Sequence, residues 1–454
     1  MAIAVGKLSL WDTLRFFCLV SVPVTLWGLV APNRFMVGLL ARWDVGRATG
    51  HFLSTLRRKY RSSYLRLWFP GGPTLLVMDP HGMDAVLASD ANAADPELKK
   101  HTLSQFIPDS LVISSGAEWR VRRDFNESVL QFGHRLHRHA DAFVQIIAAE
   151  VEQLTRKPGS ELCWEDFQSL AERISHQVLL GQGRVEPTMT SQLARMVKRS
   201  NWYILPRDGA AFSAFYKRID AYLFRDRAAV SNETSSIRCL IGDSAELVKS
   251  AHATPSTCAP TQIGFWFFVL KDALELHVAR TLALIAAHPE VYDQVQREVD
   301  GMQTAAAQSI DGLHYLEACI GEQLRLWTPV PILLRRAVSA FSLPGEVTLD
   351  PGQQILFHAG FYHRDVDFFG EAANKFSPKV ETHDALPRVY IFSSGRQSCA
   401  GQFLARFILK ATLASLLTRF RFEHLGPRVR TGNVQYSYDH FKIRFRVSPA
   451  THKP

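Results

Sequence analysis

The sequence predicts a mainly α-helical fold with a minor β component, and three features carry that prediction. Thr261 to His288 is a long, largely apolar run that stops at His288-Pro289. From Glu118 to about Gly181 apolar residues recur at spacings of three and four, the helical period. The strand-like pieces are short and few. The chain has 454 residues, 47% hydrophobic and 21% charged, an ordinary globular composition. No Pro/Gly/Ser-rich linker, repeat or low-complexity tract divides it. One large catalytic domain, residues 35–454, is therefore expected behind an N-terminal segment, residues 1–34.

That segment reads as a membrane anchor. Phe16 to Pro32 carries no charge, with Lys7 and Arg15 before it and Arg34 after it. About 17 apolar residues is the lower limit for a spanning helix. No small-residue cleavage site is clear, which favours an uncleaved, single-pass anchor. Positive charge on both flanks determines orientation weakly. The alternative is a buried amphipathic helix.

Leu65 to Met78 reads as a hairpin around Pro70-Gly71-Gly72-Pro73. A helix begins near His81. Residues 186–260 are mixed, with a loop at Ser250 to Pro260. The Thr261–His288 helix, about 28 residues or ~42 Å, is apolar all round and so belongs inside the body. Pro289 suits the first turn of the next helix. His314 to Trp327 is another helix. Strand-like pieces follow at Ile332–Val338, Glu346–Leu349 and Gln354–His358, then an irregular stretch from Phe361 to Arg388. Cys399 to Phe420 is the last long helix, and strand-like pieces run on to Val447.

Charge and cysteine usage narrow the class. There are 52 Lys+Arg against 43 Asp+Glu, a net +9. No basic tail or aromatic-basic module marks a nucleic-acid binder, which leaves an anionic membrane or an acidic protein as the partner of a basic surface. Local clusters occur at Arg120, Arg122 and Arg123 and at His134–His139; singly, each reads first as solvated surface. Six cysteines without close pairing make no disulfide framework. Cys163, Cys239, Cys258 and Cys319 read as buried or inert thiols, fitting a cytosol-facing body.

Three motifs carry chemistry. In Phe392-Ser-Ser-Gly395-Arg396-Gln397-Ser398-Cys399-Ala400-Gly401 a glycine-bearing loop runs into a helix with a cysteine at the junction. Free N–H groups and the helix dipole favour a thiolate there, as metal coordination does further. Small residues on either side let a flat macrocycle approach the backbone. A core cysteine at a helix start is the plainer reading of the loop alone. Glu322 and Arg325, three apart, share a helix face and can pair. Trp119 and Arg123, four apart, can both point at an anionic cofactor edge.

In order and spacing, W-x-x-x-R, a long helix ending in His-Pro, E-x-x-R and F-x-x-G-x-x-x-C-x-G resemble the cytochrome P-450 family, over residues 55 to 447. The resemblance implies that family's fold, with haem b (iron protoporphyrin IX) held between the long helix and the cysteine helix. Cys399 binds iron, and Phe392 lies on the proximal side beside Gly395 and Gly401. Trp119, Arg123 and one of Arg335 and Arg336 meet the propionates, and Glu322 and Arg325 lock the cysteine region. An axial thiolate favours O–O cleavage, and buried propionates need Arg or an indole N–H.

The chain departs from that pattern in three places. Gln397 stands where the family carries a propionate-binding Arg or His, with Arg396 beside it. Val380 takes the place of the third member of the Glu-Arg-Arg triad, with Lys379 as partial compensation. Counting back from His288-Pro289, the acid-alcohol pair of the long helix falls on Asp272-Ala273, so the acid is present and the alcohol is missing. Alanine cannot donate a hydrogen bond. Another hydroxyl, a water or the substrate replaces the threonine; or the enzyme rearranges or dehydrates an oxygenated substrate without O2; or a count displaced by a turn places Lys271 or Glu275 there.

The expected function is a haem-thiolate monooxygenase acting on an apolar terpenoid, polyketide or sterol-like molecule of specialised metabolism. Electrons come from NADPH-cytochrome P-450 reductase, docking on arginines such as Arg120, Arg122, Arg135, Arg138 and Arg406. The resemblance places the enzyme in the endoplasmic reticulum membrane with the catalytic domain facing the cytosol. Residues near 106–115, 202–213, 265–273 and 331–334 are expected to line the pocket.

Overall fold

The computed structural model describes residues 5–28, 30–69, 72–89, 92–93, 97–155, 160–201, 205–224, 238–250, 253–380 and 389–450. The expected turn at Pro70-Gly71, pocket positions 202–204 and the end of the irregular stretch, 381–388, lie outside them.

The chain opens with β1 (Gly6–Lys7), then α1 (Leu10–Phe16), a π-helical turn at Phe17–Ser21 and α2 (Val22–Trp27). α3 (Arg34–Arg42) and α4 (Val45–Tyr60) lead into β2 (Tyr64–Phe69) and β3 (Gly72–Val77), the expected hairpin. α5 (Pro80–Ala88), β4 (Asn92–Ala93) and α6 (Glu97–Ser104) follow. The helical stretch after residue 116 is three helices, α7 (Gly116–Leu130), α8 (Ala140–Thr155) and α9 (Trp164–Leu180). A short strand, β5 (Glu161–Cys163), interrupts them and pairs with a strand near the C-terminus. Sequence periodicity could not show that partner, because it lies more than 280 residues away.

The mixed region resolves into α10 (Pro187–Ser200), α11 (Gly209–Leu223) and α12 (Leu240–Lys249). α13 (Ala259–Ala287) is the long helix, about 43 Å from end to end. Pro260 sits in its first turn, and it stops at His288, extended ahead of Pro289 as a residue before proline must be. α14 (Pro289–Asp300), α15 (Ala307–Asp311) and α16 (His314–Leu326) come next, then β6 (Leu333–Ala337), β7 (Phe341–Leu343), β8 (Val347–Leu349) and β9 (Gln354–Phe357). One-turn helices α17 (Ala359–Tyr362) and α18 (Val366–Phe369) precede α19 (Gln402–Arg419), β10 (Phe420–Gly426) and β11 (Arg444–Pro449).

The mainly helical class holds. A six-stranded sheet runs β1-β2-β3-β9-β6-β4, a second runs β10-β11-β5, and β7-β8 is a hairpin. The main core gathers around α13, with Ile263, Trp266, Leu282 and Ile285 buried against α9, α16 and α19. A second core fills the sheet around Leu75, Val86, Ile355 and Tyr390.

The N-terminal helix has the expected length and apolarity: Leu10–Trp27 is long and apolar enough to cross a membrane. It starts earlier than Phe16, and one stripe of it is packed on the body. Leu8, Phe16 and Val20 share a core with Phe52, Leu53, Leu65 and Leu76.

Candidate active site

The loop around Cys399 is closed by its own backbone. The Cys399 N–H donates to the Phe392 carbonyl at 2.8 Å. The turn needs two left-handed residues, Ser393 at φ 60° and Gly395 at φ 63°. A Cβ on Gly395 would lie 2.2 Å from the Leu87 carbonyl oxygen of α5, so only glycine fits. At Gly401, φ is −96° and a Cβ would meet only Leu130 Cδ1, at 3.5 Å. Nothing in the polypeptide demands glycine at 401.

The sequence reading placed Cys399 at the start of the helix. The helix instead begins at Gln402, three residues on, after a 3-10 turn at Gly395–Gln397. Burial raises the Cys399 thiol above its ordinary value, and the Gly401 N–H and the Arg123 charge only partly oppose this. Burial therefore works against the thiolate that the nearby helix end was expected to favour, and metal coordination would favour it.

Cys399 nevertheless keeps free surface although burial dominates its environment. Free surface and deep enclosure together mean that it faces an internal space. Asp272 shows the same pairing, with 36% of its side chain free and its carboxyl pushed up by burial. Along α13, Phe265, Phe268, Val269, Asp272, Ala273 and Leu276 retain free surface while Trp266, Phe267, Leu274 and Glu275 are buried. Leu270 and Lys271 between them are also only partly buried, so the middle of α13 from Phe268 to Ala273 is loosely covered by the polypeptide.

Lys271 and Glu275 turn away from Ala273. They sit about 160° around the helix from Ala273 at 100° per residue. Lys271 Nζ donates to Glu275 Oε2 at 2.7 Å and reaches Asp272 Oδ1 at 3.4 Å. Glu275 also takes a hydrogen bond from Gln168 of α9. Both side chains are therefore engaged with each other and with α9.

Arg335 and Arg336 alternate across β6, and the strand separates them. Arg335 is buried, and its Nη2 donates to Ser393 Oγ in the cysteine loop at 2.8 Å. Its Nη1 donates to the Leu334 carbonyl, while Nε has no partner. No carboxylate pairs with it among the described residues, and burial lowers it to about 10. Arg336 points to the other face. Arg123, buried on α7, donates to Glu127 Oε1 at 2.6 Å and to the Ser398 carbonyl, and lies 4.9 Å from the Phe132 ring centroid. Trp119, one turn earlier on the same face, is half-buried. Phe392 is half-buried beneath the Arg406 guanidinium, 5.0 Å from its ring centroid, and Arg396 is exposed.

Glu322 and Arg325 pair through two bonds of 2.7 Å. Arg325 also donates to the carbonyls of His363, Ala372, Ala373 and Lys375. Glu322 accepts the Ser377 N–H at 3.2 Å. Lys379 and Val380 are exposed, so Lys379 does not compensate as expected. A backbone amide serves Glu322 instead.

Sequence reasoning missed His363-Arg364-Asp365. His363 Nε2 accepts the Tyr390 N–H at 2.9 Å. Arg364 donates to the carbonyls of Leu326, Val434 and Gln435. Asp365 pairs with Arg57 of α4. Three consecutive buried polar residues thus tie α16, the approach to the cysteine loop and the N-terminal helices together. The available signal was a charged triplet in an otherwise apolar stretch. Arg122 was expected on an outer face and is instead buried, donating to Ser114 Oγ and the Ser256 carbonyl.

The comparisons agree with this geometry. The family model described as Cytochrome P450 matches residues 278–432, which include the Glu322-Arg325 clamp and Cys399. The probable cytochrome P450 310a1 of Drosophila melanogaster is 28% identical over 184 residues, 37% of each chain. Cytochrome P450 4d2 of the same fly is 22% identical over 429 residues, covering 84% of this chain and 85% of the relative. Cytochrome P450 26B1 of Xenopus tropicalis is 24% identical over 426 residues, covering 87% and 82%. The site and fold define a haem-dependent oxidoreductase of the monooxygenase class. The chain belongs to the cytochrome P450 family.

The residues present fit such a group. A cysteine faces an internal space, a buried arginine without a carboxylate stands beside the cysteine loop, and Gly401 is free of any backbone need. A flat, anionic, iron-bearing macrocycle answers all three.

Proposed function

We propose that the chain is a monooxygenase holding haem b through Cys399 and acting on an apolar small molecule of the terpenoid, polyketide or sterol-like kind. Electrons come from an NADPH-dependent reductase, and the body sits on the cytosolic side of the endoplasmic reticulum membrane. The observation that carries this reading is Cys399, which keeps free surface in a loop bonded by the buried Arg335; partly free apolar side chains on α13 support it.

A thiolate-ligated haem, when bound, supplies oxygen activation and transfer of one oxygen atom to the substrate. The chain's own residues do the rest. Arg335, with Arg123 and Trp119, meets the propionate edge, which a buried anion requires. Gly401 leaves room for the macrocycle and its N–H meets the sulfur, a contact that tunes the ligand. Phe265, Phe268, Val269 and Leu276 exclude water and hold an apolar substrate. Asp272 lies among them and holds the proton for the reaction. With Ala273 beside it, the hydrogen bond a threonine would give comes from ordered water or from the substrate itself. Arg120, Arg138, Arg396 and Arg406 are exposed and are cations that an acidic reductase would meet; Arg122 takes no part.

The test is product formation with candidate apolar substrates, with and without NADPH, reductase and O2. Product only in the complete system is expected. Product formed without reductant and oxygen would instead mark a haem-thiolate isomerase or dehydratase, the reading that Ala273 favours.

A further inference from the structure

The N-terminal helix is fastened to the body at several points. β1 pairs in parallel with β2, Gly6 opposite Leu65 and Lys7 opposite Arg66. The Ser9 N–H donates to Tyr60 Oη at 2.9 Å. Asp12 is buried, and its Oδ2 accepts from Lys59 Nζ at 2.5 Å and from Tyr60 Oη at 2.7 Å. Thr49 Oγ1 donates to the Leu19 carbonyl at 2.6 Å. Beyond the helix, the Val30 and Ala31 N–H groups donate to Asn201 Oδ1 at 2.9 and 3.1 Å, and Asn201 Nδ2 returns a bond to the Ala31 carbonyl at 3.0 Å.

Burial follows the same division. Asp12, Phe16 and Val20, each four apart, face the body. The opposite arc is free: Leu10 is 89% exposed, Trp11 66%, Leu14 52% and Phe17 47%. A helix crossing a bilayer has lipid on every side. This one would have to break the β1 pairing, draw a buried carboxylate out of its hydrogen bonds to Lys59 and Tyr60, and strip Phe16 and Val20 from their core.

The charge around it is one-sided. Residues 1–70 contain ten Lys/Arg and two Asp/Glu, a net +8 within a chain whose total is +9. Arg15, Arg42, Arg58, Arg61 and Arg66 are exposed, as are the large apolar side chains Phe35, Trp43 and Trp68. A helix with one apolar face out, flanked by Trp and Arg, is the composition that settles at a lipid headgroup boundary, and clustered basic residues add attraction to anionic lipid.

We infer that Leu10–Trp27 does not cross the bilayer but lies docked on the body, presenting Leu10, Trp11, Leu14 and Phe17 to the surface of an anionic membrane. This deepens the membrane association in the proposed function by fixing its mode. It does not depend on the reaction catalysed.

The full chain, haem loaded, is tested in two ways. An N-glycosylation acceptor tag is placed before Met1 and the protein made in the presence of microsomes. The tag is expected to stay unglycosylated and protease-accessible from the cytosolic side; glycosylation would show that the helix spans and would overturn the inference. Purified protein is then floated with phosphatidylcholine vesicles with and without 30% phosphatidylserine. Binding is expected to rise at least tenfold with the anionic lipid, fall as salt rises, and drop at least tenfold in the Leu10→Ser/Leu14→Ser double variant. Both positions are exposed, so the haem spectrum and melting temperature should match the parent, which separates this outcome from a failure of the haem reading. Equal binding by parent and double variant, no binding to either vesicle, or burial of the face in a dimer that ignores lipid would each overturn it.

Discussion

Arg335 of β6 reaches the cysteine loop and donates to Ser393 Oγ at 2.8 Å. Two elements separated by 58 residues therefore fix each other. Ser393 is held at φ 60°, a conformation that costs a non-glycine residue of order 1–3 kcal/mol. The surrounding bonds have to over-determine it, and Arg335 is one of them.

Arg335→Leu is accordingly expected to lose haem more readily, by about 10–100-fold in affinity, the range for outer partners of a metal site. Arg336→Leu, on the other face of the strand, should change haem affinity less than Arg335→Leu does. Haem transfer to an acceptor protein measures both. Equal losses in the two variants would remove Arg335 from the site.

The Glu322–Arg325 pair is clasped by four backbone carbonyls and one backbone amide. Removing one member of such a buried pair leaves a charge unpaired and costs about 3–5 kcal/mol. Glu322→Gln should lower the unfolding free energy from a urea titration by that amount and release haem with it. Lys379→Ala, at an exposed position, should stay within about 0.5 kcal/mol. A large effect at Lys379 would reinstate the side-chain compensation that the structure lacks.

Acid should unfold this protein steeply. Burial lowers His277 and His363 to about 3, and His137, His176 and His358 to about 4. Each titrates near 6.5 in the unfolded chain, so below that pH the unfolded state holds more protons. The stability these neutral rings contribute is complete above about pH 6.5. It is lost, at up to about 1.4 kcal/mol per pH unit for each ring, as pH falls toward 4. Chemical denaturation between pH 7.5 and 5 measures the slope, and His363→Gln should reduce it by about one ring's share. A flat profile would mean these rings are not held neutral.

On α13, Asp272 keeps 36% of its side chain free. Asp272→Asn is expected to lower turnover by about 10²–10³-fold, the scale of a lost positioned proton donor, with substrate binding unchanged. Ala273→Thr should raise the product formed per NADPH consumed. Glu275→Gln, facing α9, should leave that ratio alone. NADPH oxidation and product, followed together, decide among them.

Much of this was legible beforehand because it depends on local pattern. The limits of α13 follow from Pro260, an unbroken apolar run and His288-Pro289, and those of α16 from the prolines after Trp327. The cysteine loop announced itself by glycine spacing. What stayed hidden depends on distant partners. β5 exists because β11 pairs with it. The choice between Arg335 and Arg336 needed the strand's facing. The docking of Phe16 and Val20 needed their partners Phe52 and Leu53, and no periodicity in residues 10–27 distinguishes a lipid face from a protein face. The setting of Cys399 was also hidden, since its loop is held by Leu87 of α5, Arg123 of α7 and Arg335 of β6.

The most direct measurement is the haem content and ferrous carbon monoxide difference spectrum of Cys399→Ser, beside the parent and a Cys319→Ser control. The account expects the parent and the control to show the band of a sulfur-ligated haem, and Cys399→Ser to lose that band and most of its pigment. A Cys399→Ser protein with full haem content and the same band would contradict it.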